Sequence, residues 1–442
     1  MPEPHGHPSR AAGAATGAAP RAMGVAQAYA ATRSLSVQLA APLSEADATI
    51  QSMADASPAK WHLAHTTWFF ETFLLRDHVP GYQLYRADWP FLFNSYYEAE
   101  GARIARDRRG MLSRPTLAEI LDWRAHVDAA MAPLLEDGRH DELIRPLIRL
   151  GIAHEQQHQE LLLTDIKHAL SCNPLGPALW PDEGGGAAPA GREREDHGWI
   201  EHPGGIARIG HKGEGFAFDN EGPAHRVLLE PFALARRLVS NGEWDAFIAD
   251  GGYRRASLWL ADGWDWVQRE AIRAPLYWRD AEHFTHQGWQ LRDPAAPVAH
   301  ICYFEADAFA SWAGARLPTE AEWEVAAQDA DPAGGNQLDP PDRWAAPPLP
   351  RAGAGSFGAG SSGAGLFGDV WQFTRSAYLP YPRFRPAEGA VGEYNGKFMA
   401  GQFVLKGASC ATPRGHSRAS YRNFFYPHQR WQFTGLRLAR DL

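Results

Sequence analysis

The chain has 442 residues, of which 45% are hydrophobic and 21% charged, and its formal net charge is −9. This length exceeds what one ordinary hydrophobic core holds, so we expect two or more domains. No basic run stands out, which argues against nucleic acid as a partner. No apolar run reaches the ~20 residues of a membrane span, so no membrane partner is expected. The three cysteines are too widely spaced for a disulfide framework or a cysteine-based zinc site, and a reducing cytoplasm is the predicted setting.

The first part of the chain divides into a leader and a helical region. Residues 1–34 are rich in alanine, glycine and proline but lack the apolar core of a signal peptide, so we predict a disordered leader. Residues 35–172 have a helical pattern. Apolar residues recur there at spacings of three or four, as on one helix face, at Leu35, Leu39, Leu43, Ala46 and Ile50.

Three more helices are marked along this region. Ser57-Pro58 has the form of an N-cap followed by proline at the first helical position. Thr116 is predicted to cap a third helix, which Pro133 should end, and a fourth should begin near Leu143. Four helices with one long connection predict a bundle, in which metal sites are built from side chains on facing helices.

Beyond the bundle the composition changes. Residues 173–198 are rich in proline and glycine and are predicted to be a linker. Residues 199–442 alternate short strand-like runs with turns and scattered tryptophans, which favours a domain of irregular, aromatic-packed loops. One helix is marked there by Thr319 as cap and Glu322 at the capping-box position. The predicted fold class is therefore α+β, in two domains.

A histidine pair in the fourth predicted helix points to a metal site. His154 and His158 are four residues apart, so both imidazoles lie on one helix face, and neutral imidazole is a good ligand for iron, zinc and copper. A third ligand must come from another helix. His65 in the second helix is the better candidate, whereas His62 fits a packed or supporting position. Three histidines would hold a divalent metal and leave positions for substrate and O2.

The same letters allow a second interpretation. His154-Glu-Gln-Gln-His158 satisfies the H-E-x-x-H pattern of zinc metalloproteases, with Glu155 as general base. Such a protease usually takes its third ligand from downstream, and His168 follows too closely on the same helix. A zinc metalloprotease therefore stays as the less favoured alternative.

The connection between the second and third predicted helices offers two further functions. Tyr96 and Tyr97 are phenols that could donate a proton to a reduced oxygen species near a metal. Arg103 and Arg106 could hold a carboxylate through paired hydrogen bonds. Half-buried loop tyrosines and solvent-exposed arginines are the ordinary alternative.

Taken together, these stretches resemble the ergothioneine sulfoxide synthase family and its selenium-using relative, selenoneine synthase. The resemblance spans about residue 35 to the C-terminus. It implies an N-terminal four-helix bundle of the damage-inducible type and a C-terminal domain with the formylglycine-generating-enzyme fold, which is C-type-lectin-like. The matching stretches are Trp61–Glu71, Phe93–Glu98, Arg109–Thr116, His154–His158, Arg316–Trp323, Gly392–Phe398 and Tyr421–Phe425.

The resemblance also implies a reaction and a metal. Enzymes of this family are non-heme iron(II) proteins that use O2 to join a thiol to the imidazole C2 of hercynine (Nα-trimethylhistidine). The family's iron ligands fall on His65, His154 and His158 of this chain. Gln157 matches a position that the family uses near the hercynine imidazole.

Further residues take their expected roles from the same resemblance. Tyr96 and Tyr97 match an active-site pair in which one phenol donates a proton. Arg103 matches a position that can bind the carboxylate of the sulfur donor. The loop that closes the substrate tunnel matches Asn423, Phe424 and Phe425.

Two stretches depart from the family's usual letters. The chain has Val370-Trp-Gln-Phe-Thr374 where many relatives read V-W-E-W-T, so Gln372 and Phe373 become altered candidates for substrate contact. It also has Lys406 where relatives often carry arginine, which changes bidentate capacity. Iron ligation is untouched, but the donor could be cysteine, γ-glutamylcysteine or a selenosugar, and a selenoneine synthase is a serious alternative.

Two other classes remain as alternatives. A formylglycine-generating enzyme needs a closely placed cysteine pair, and Cys302 and Cys410 lack the close spacing. A non-catalytic lectin-like binding module would not need the three histidines, which are present. The sequence leaves the oligomeric state open.

Overall fold

A computed structural model describes residues 24–136, 144–181, 198–213, 215–344, 347–352, 365–386, 392 and 395–442. The N-terminal part is a helical bundle in which α1, α3, α5 and α6 are the long members. Helix α3 continues beyond its last residue as six residues of π-helix, Glu71–Arg76. The helices are α1 (Val25–Ala40), α2 (Glu45–Thr49), α3 (Ala59–Phe70), α4 (Trp89–Phe93), α5 (Leu117–Glu136) and α6 (Ile144–Ser171).

Helix α1 corrects the predicted leader. It begins at Val25, so residues 25–34 are helical, and residues 1–23 lie outside the described part of the chain. Tyr29 and Arg33 are buried on the side of α1 that faces the bundle. Both reach Asp128 of α5, at 2.6 Å from the Tyr29 hydroxyl and 2.6 Å from Arg33 Nε. The alanine-rich composition of the N-terminal segment does not indicate these buried contacts with α5.

Two predicted helix ends also differ. Pro133 lies inside α5 and does not end it. Because Pro133 is in the last turn, its missing N–H costs the helix only one hydrogen bond. The N-cap of α3 is Pro58 rather than Ser57. Ser57 is engaged elsewhere, since its hydroxyl accepts a hydrogen bond from Arg109 Nη1 at 2.9 Å. Thr116 caps α5 as predicted, by accepting the Glu119 N–H at 3.2 Å.

The C-terminal part is a mixed domain of short elements. Its helices are α7 (Asn241–Ala249), α8 (Ala261–Arg269), α9 (Tyr303–Trp312) and α10 (Glu320–Ala326). Helix α10 has the predicted capping box between Thr319 and Glu322. The strands are β1 (Trp199–His202), β2 (Gly205–Ile209), β3 (His225–Leu229), β4 (Phe232–Ala235), β5 (Trp278–Arg279), β6 (Glu282–Thr285), β7 (Gly288–Leu291), β8 (Trp371–Ala377), β9 (Phe403–Lys406), β10 (Asn423–Phe425), β11 (Thr434–Gly435) and β12 (Ala439–Asp441).

Small sheets rather than one large sheet organise this domain. The order β10-β9-β8-β11 forms a four-stranded sheet in which only the β11–β8 pair is parallel. The order β1-β4-β12 brings the first and last strands of the domain onto β4, both antiparallel. Strands β2 and β3 form an antiparallel pair, and strands β5, β6 and β7 form a three-stranded antiparallel sheet. The combination of helical bundle and mixed domain confirms the predicted fold class.

Helix α6 connects the two domains by a buried carboxylate. Glu160 accepts hydrogen bonds from Trp371 Nε1 at 2.8 Å, Ser409 Oγ at 2.5 Å and Thr412 Oγ1 at 2.7 Å, all in the C-terminal domain. Burial raises the pKa of Glu160, while these three donors lower it. One core of apolar side chains continues from the bundle into the C-terminal domain. Among the described residues, no helix is both long and apolar enough to cross a membrane.

Candidate metal centre

Helices α3 and α6 bring three histidines to one place. His65 of α3 and His154 and His158 of α6 each offer a ring nitrogen, and these atoms lie within 4.8 Å of one another. The ring centroids are 4.7 to 4.9 Å apart. The i, i+4 spacing on α6 aligns two of the rings, and the antiparallel packing partner supplies the third. The ligand set predicted from the sequence is thus a real spatial cluster.

The histidine nitrogens are in the neutral state that metal binding needs. Burial, followed by the neighbouring His154, holds the pKa of His65 and of His158 well below the usual range. Burial likewise lowers the pKa of His154 to about 3. All three imidazoles are therefore uncharged at neutral pH, with lone pairs that a divalent cation can take up.

The surroundings of His65 fix which nitrogen is available. Its Nδ1 lies 2.6 Å from the Phe93 carbonyl, which can only accept, so Nδ1 carries the proton. Its Nε2 is buried without a hydrogen-bond partner among the described atoms. The ring is held flat between Trp61 and Trp68, at centroid distances of 4.6 and 5.4 Å. A buried, unpartnered nitrogen aimed at two other imidazoles fits a metal ligand.

A chain of hydrogen bonds fixes His158 in the same way. Asp165 Oδ2 lies 3.1 Å from His62 Nε2, and His62 Nδ1 lies 2.8 Å from His158 Nδ1. The carboxylate accepts from His62 Nε2–H, which leaves His62 Nδ1 to accept from His158 Nδ1–H. This leaves the lone pair of His158 on Nε2 for a metal. His62 is thus a supporting residue of the centre, joined to a carboxylate as ligand histidines usually are.

Asp165 ties this chain of hydrogen bonds to both domains. Its Oδ2 also accepts the Ser57 N–H at 2.8 Å, and its Oδ1 accepts Trp431 Nε1–H at 3.0 Å. Trp431 belongs to the C-terminal domain. The orientation of His158 therefore depends on side chains from α3, α6 and the second domain.

Glu155 points away from the histidines, so it is not placed to act as the general base of a metalloprotease. Its Oε1 accepts from Ser36 Oγ at 2.6 Å and from Arg124, and its Oε2 accepts from Arg33 Nη1 at 3.0 Å. Although burial raises its pKa, Arg124 and then Arg33 lower it to about 2. A carboxylate held by two buried arginines is too weak a base to activate water.

Gln157 joins α6 to a tyrosine that the sequence interpretation did not single out. Its Nε2 donates to the Tyr421 hydroxyl at 2.6 Å. His416 Nε2 lies 3.3 Å from the same hydroxyl, and His416 Nδ1 lies 3.0 Å from Gln156 Oε1. Tyr421 opens one of the stretches that resembles the family, but its role shows only in three dimensions because Gln157 and Tyr421 are 264 residues apart.

The predicted tyrosine pair lies beyond the rings that flank His65. Tyr97 is fully buried and packs on Trp68, at 5.4 Å between centroids. Tyr96 stacks on Tyr97 at 4.9 Å and meets Phe398 edge-on at 5.3 Å. Lys397 donates a hydrogen bond to the Tyr96 carbonyl. Trp68 thus packs against both His65 and Tyr97.

The remaining candidates occupy the margin of the two domains. Arg103 is partly exposed and pairs with Glu98 at 2.7 Å. The stretch Asn423–Phe425 is the edge strand β10, and Phe424 lies 6.1 Å from Phe398, the residue that contacts Tyr96. No described contact joins Arg103 or β10 directly to the three histidines.

Gln372 and Phe373 lie in the interior of the C-terminal domain, and their contact with a substrate stays a prediction. Gln372 Oε1 accepts from Trp323 Nε1 and Arg437 Nε, each at 2.9 Å, and its Nε2 donates to the Leu366 carbonyl at 2.7 Å. Phe373 is fully buried in the core. The altered letters of this stretch therefore belong to the interior of the C-terminal domain.

Lys406 is also an interior residue. Its Nζ pairs with Glu324 Oε2 at 3.0 Å, and both side chains are buried. Its position on β9 beside β8 places it opposite Gln372. The two departures from the family's letters are thus neighbours in one buried network, and they give no information about the donor.

Family comparisons define the class of protein. The profile of the DinB superfamily matches residues 28–168, and that of the sulfatase-modifying factor enzyme 1-like domain matches residues 187–442. The chain is therefore a DinB-type bundle followed by a sulfatase-modifying-factor domain. The formylglycine-generating enzyme of Thermomonospora curvata is 35% identical over 175 residues, which are 33% of this chain and 55% of that protein.

Longer relatives define the family. The hercynine oxygenase of Mycobacterium tuberculosis is 35% identical over 407 residues, covering 87% of this chain and 91% of that protein. That of Mycolicibacterium thermoresistibile is 34% identical over 411 residues, covering 87% of this chain and 88% of that protein. The chain belongs to the hercynine oxygenase family. The resemblance to ergothioneine sulfoxide synthases is confirmed.

Proposed function

We propose that this chain is an Fe(II)- and O2-dependent enzyme that joins a thiol or selenol donor to C2 of the hercynine imidazole. The observation that carries the proposal is the cluster of three neutral histidines, of which His65 and His154 are buried and His158 is half-buried, with hydrogen bonds that fix the tautomers of His65 and His158. The names of the relatives support hercynine as substrate. Iron held by three imidazoles would supply a Lewis acid and a relay for the electrons that pass from the two substrates to O2.

The net reaction with a thiol balances without another co-reactant. The C2–H bond of the imidazole and the S–H bond of the donor break, and one C–S bond and one S–O bond form. Of the two oxygen atoms of O2, one enters the sulfoxide and the other leaves as water with both hydrogen atoms. The protein must therefore deliver a proton to oxygen, which calls for an acid near the histidines.

Tyr421 is the acid that the contacts favour. Because Gln157 donates to its oxygen, the phenolic hydrogen of Tyr421 remains available to a substrate or to His416. Burial is the first cause that keeps its pKa above the usual range, so the proton is held at neutral pH. Tyr97 is the alternative acid, and its ring packs on Trp68, which also stacks on His65.

A pocket beside the centre suits the cationic end of hercynine. It has a volume of about 390 Å³ and lies between the first turns of α6 and residues 215–219. Phe216 and Phe218 line it together with the exposed Arg149, and Asp219 Oδ2 is buried there without a hydrogen-bond partner among the described atoms. Aromatic faces and one carboxylate are what a trimethylammonium group prefers. Leu150, also in the lining, precedes His154 by one helical turn, about 6 Å along the axis.

The test is a donor panel. Iron-loaded enzyme is mixed with hercynine and air, together with cysteine, γ-glutamylcysteine or a selenosugar, and the products are identified by mass spectrometry. We expect hercynine consumption with one donor and none without O2. A selenosugar product alone would identify a selenoneine synthase. No consumption with any donor would overturn the proposal.

Metal analysis separates the other classes. Iron bound at one ion per chain supports the oxygenase, zinc with peptide hydrolysis supports a metalloprotease, and no bound metal supports a lectin-like binding module. A formylglycine-generating activity is disfavoured, because Cys302 and Cys410 are buried and burial raises the pKa of both thiols. Raised thiol pKa values disfavour the thiolate that a cysteine-based metal site requires.

A further inference from the structure

A second polar cavity lies farther along α6, where this helix meets the C-terminal domain. Its volume is about 10 Å³, which is room for one water-sized species. Lys167 of α6 lines it from one side. The polar residues that line it from the C-terminal domain are Asn241, Tyr277, His283 and His300. None of them takes part in the histidine cluster that would hold iron.

Lys167 is buried and has no anionic partner in the described part of the chain. Only 1% of its surface is exposed, and its one hydrogen bond joins Nζ to His300 Nε2 at 2.6 Å. Rings of Tyr277 and Phe433 flank Nζ at 4.8 Å each. Burial lowers its pKa to about 7, and the neighbouring Cys410 acts in the opposite direction. An ammonium group has three N–H donors, so two have no acceptor in the described part of the chain.

Other features of the lining also indicate a ligand. The Tyr277 hydroxyl is buried and has no hydrogen-bond partner among the described atoms. Tyr277 and His300 both hold left-handed backbone, at φ of 74° and 63°. Such backbone is strained for residues other than glycine and is typical of sites where a ligand is held. The lining therefore combines hydrogen-bond donors that lack an acceptor, on Lys167 and Tyr277, with strained backbone at Tyr277 and His300.

We propose that this cavity binds one small monovalent anion of the halide class, held by Lys167 Nζ and the Tyr277 hydroxyl. The cavity has the size of a single small ion, and the unpaired groups that line it are donors, which match an anion and disfavour a cation. A buried positive charge is costly until an opposite charge joins it. The proposal does not depend on the reaction that the enzyme catalyses.

The test compares thermal unfolding of the full chain in sodium chloride and in sodium gluconate, at equal ionic strength and one fixed pH. Gluconate is too large for the cavity. Since a ligand that binds only the folded state stabilises it, saturating chloride should raise the Tm by about 2 °C over gluconate. An equal Tm in the two salts would overturn the proposal and would indicate that the cavity holds water.

Two variants locate the effect. Lys167→Met keeps the apolar stem between the two rings and removes the charge, so its Tm should be the same in both salts and, in gluconate, at least that of the wild type. The exposed Lys212→Met is the matched control and should keep the chloride effect. If Lys167→Met retained the chloride effect, the anion would bind elsewhere.

A variant with a smaller change keeps the test decisive if Lys167→Met does not fold. Tyr277→Phe retains the ring that flanks Lys167 and removes only the hydroxyl. Chloride affinity, taken from a titration of Tm against chloride, should fall about 10-fold, as for a lost hydrogen bond to a charged group. Unchanged chloride affinity would contradict the assigned binding mode.

Discussion

Two faces of α6 bury polar side chains in opposite ways. On the face toward α1, both oxygens of Glu155 are occupied, by Arg33, Arg124 and Ser36. On the face toward α3, the ring nitrogens of His154 and His158 converge with His65, whose Nε2 has no hydrogen-bond partner among the described atoms. A saturated polar group contributes specificity and no chemistry, whereas an unsatisfied one costs stability and can bind a ligand. Adjacent residues of one helix thus have unrelated functions.

Removing a histidine tests the chemical face with the largest expected effect. His65→Ala leaves only the two ligands of α6, so iron content should fall from about one ion per chain to near zero. The measurement is metal analysis after anaerobic loading and desalting. His168→Ala is the control, since His168 lies on α6 outside the cluster and bonds to Ser52 Oγ at 2.7 Å. Full iron retention in His65→Ala would show that the cluster is not the metal site.

Neutralising Glu155 tests the structural face. Glu155→Gln leaves two buried arginines short of a charge partner, which should lower the free energy of unfolding by about 3–5 kcal/mol. Chemical denaturation at neutral pH measures this loss. If Glu155 were instead the base of a protease, the variant would keep its stability and lose peptide hydrolysis.

The same pair of proteins has a defined pH dependence. The pKa of Glu155 is lowered from 4.5 to about 2 in the folded chain. A depressed carboxyl pKa contributes stability that is complete above the unfolded value and is lost as pH falls toward the folded value. The stability difference between wild type and Glu155→Gln should therefore shrink only between about pH 4.5 and pH 2. A difference that is already small at pH 6 would contradict the assignment.

The supporting chain behind His158 should give an intermediate effect. The Asp165 carboxylate can only accept a hydrogen bond, so it favours a proton on His62 Nε2. An amide at this position can also donate, so in Asp165→Asn the tautomer that leaves His158 Nε2 free for a metal is less favoured. We expect affinity for iron(II) to fall about 10- to 100-fold, as measured by anaerobic titration of the metal-free protein. Trp431→Phe removes the donor to the other Asp165 oxygen and should change affinity less. Equal affinities in all three proteins would exclude the proposed role of Asp165.

The smallest change to the centre is the loss of one hydroxyl. Tyr421→Phe should retain iron and lower turnover about 100-fold, because the proton donor is removed while the ring remains. Tyr97→Phe removes the hydroxyl of the alternative acid and should retain most of the activity if Tyr421 is the proton donor. The reverse order of the two variants would assign the acid role to Tyr97.

The parts of the fold that repeat with helical period were predictable from the sequence. The spacing of His154 and His158, the capping of α5 by Thr116 and the capping box of α10 all depend on residues within one turn of each other. Residues 25–34 were wrongly predicted to be disordered, because the residues that bury Tyr29 and Arg33 lie on other helices. Local sequence does not encode such distant contacts.

The candidate site shows the same limit. The resemblance predicts substrate contact for Gln372, but it does not predict the buried hydrogen bonds of Gln372 with Trp323 and Arg437, which are distant in sequence. The contact between Tyr421 and Gln157 was not predicted, because the two residues lie in different domains. Roles that depend on contacts between the two domains needed the structure.

The carboxylate of Glu160 has a consequence for exchanging domains among relatives. The bundle alone would carry a carboxylate on α6 whose donors, Trp371, Ser409 and Thr412, all reside in the other half of the protein. A chimera that joins this bundle to the C-terminal domain of a relative would keep the hydrogen bonds to Glu160 only if that domain supplied equivalent donors. Recombination between the two halves is thus restricted to partners that match at a few hydroxyl and indole positions.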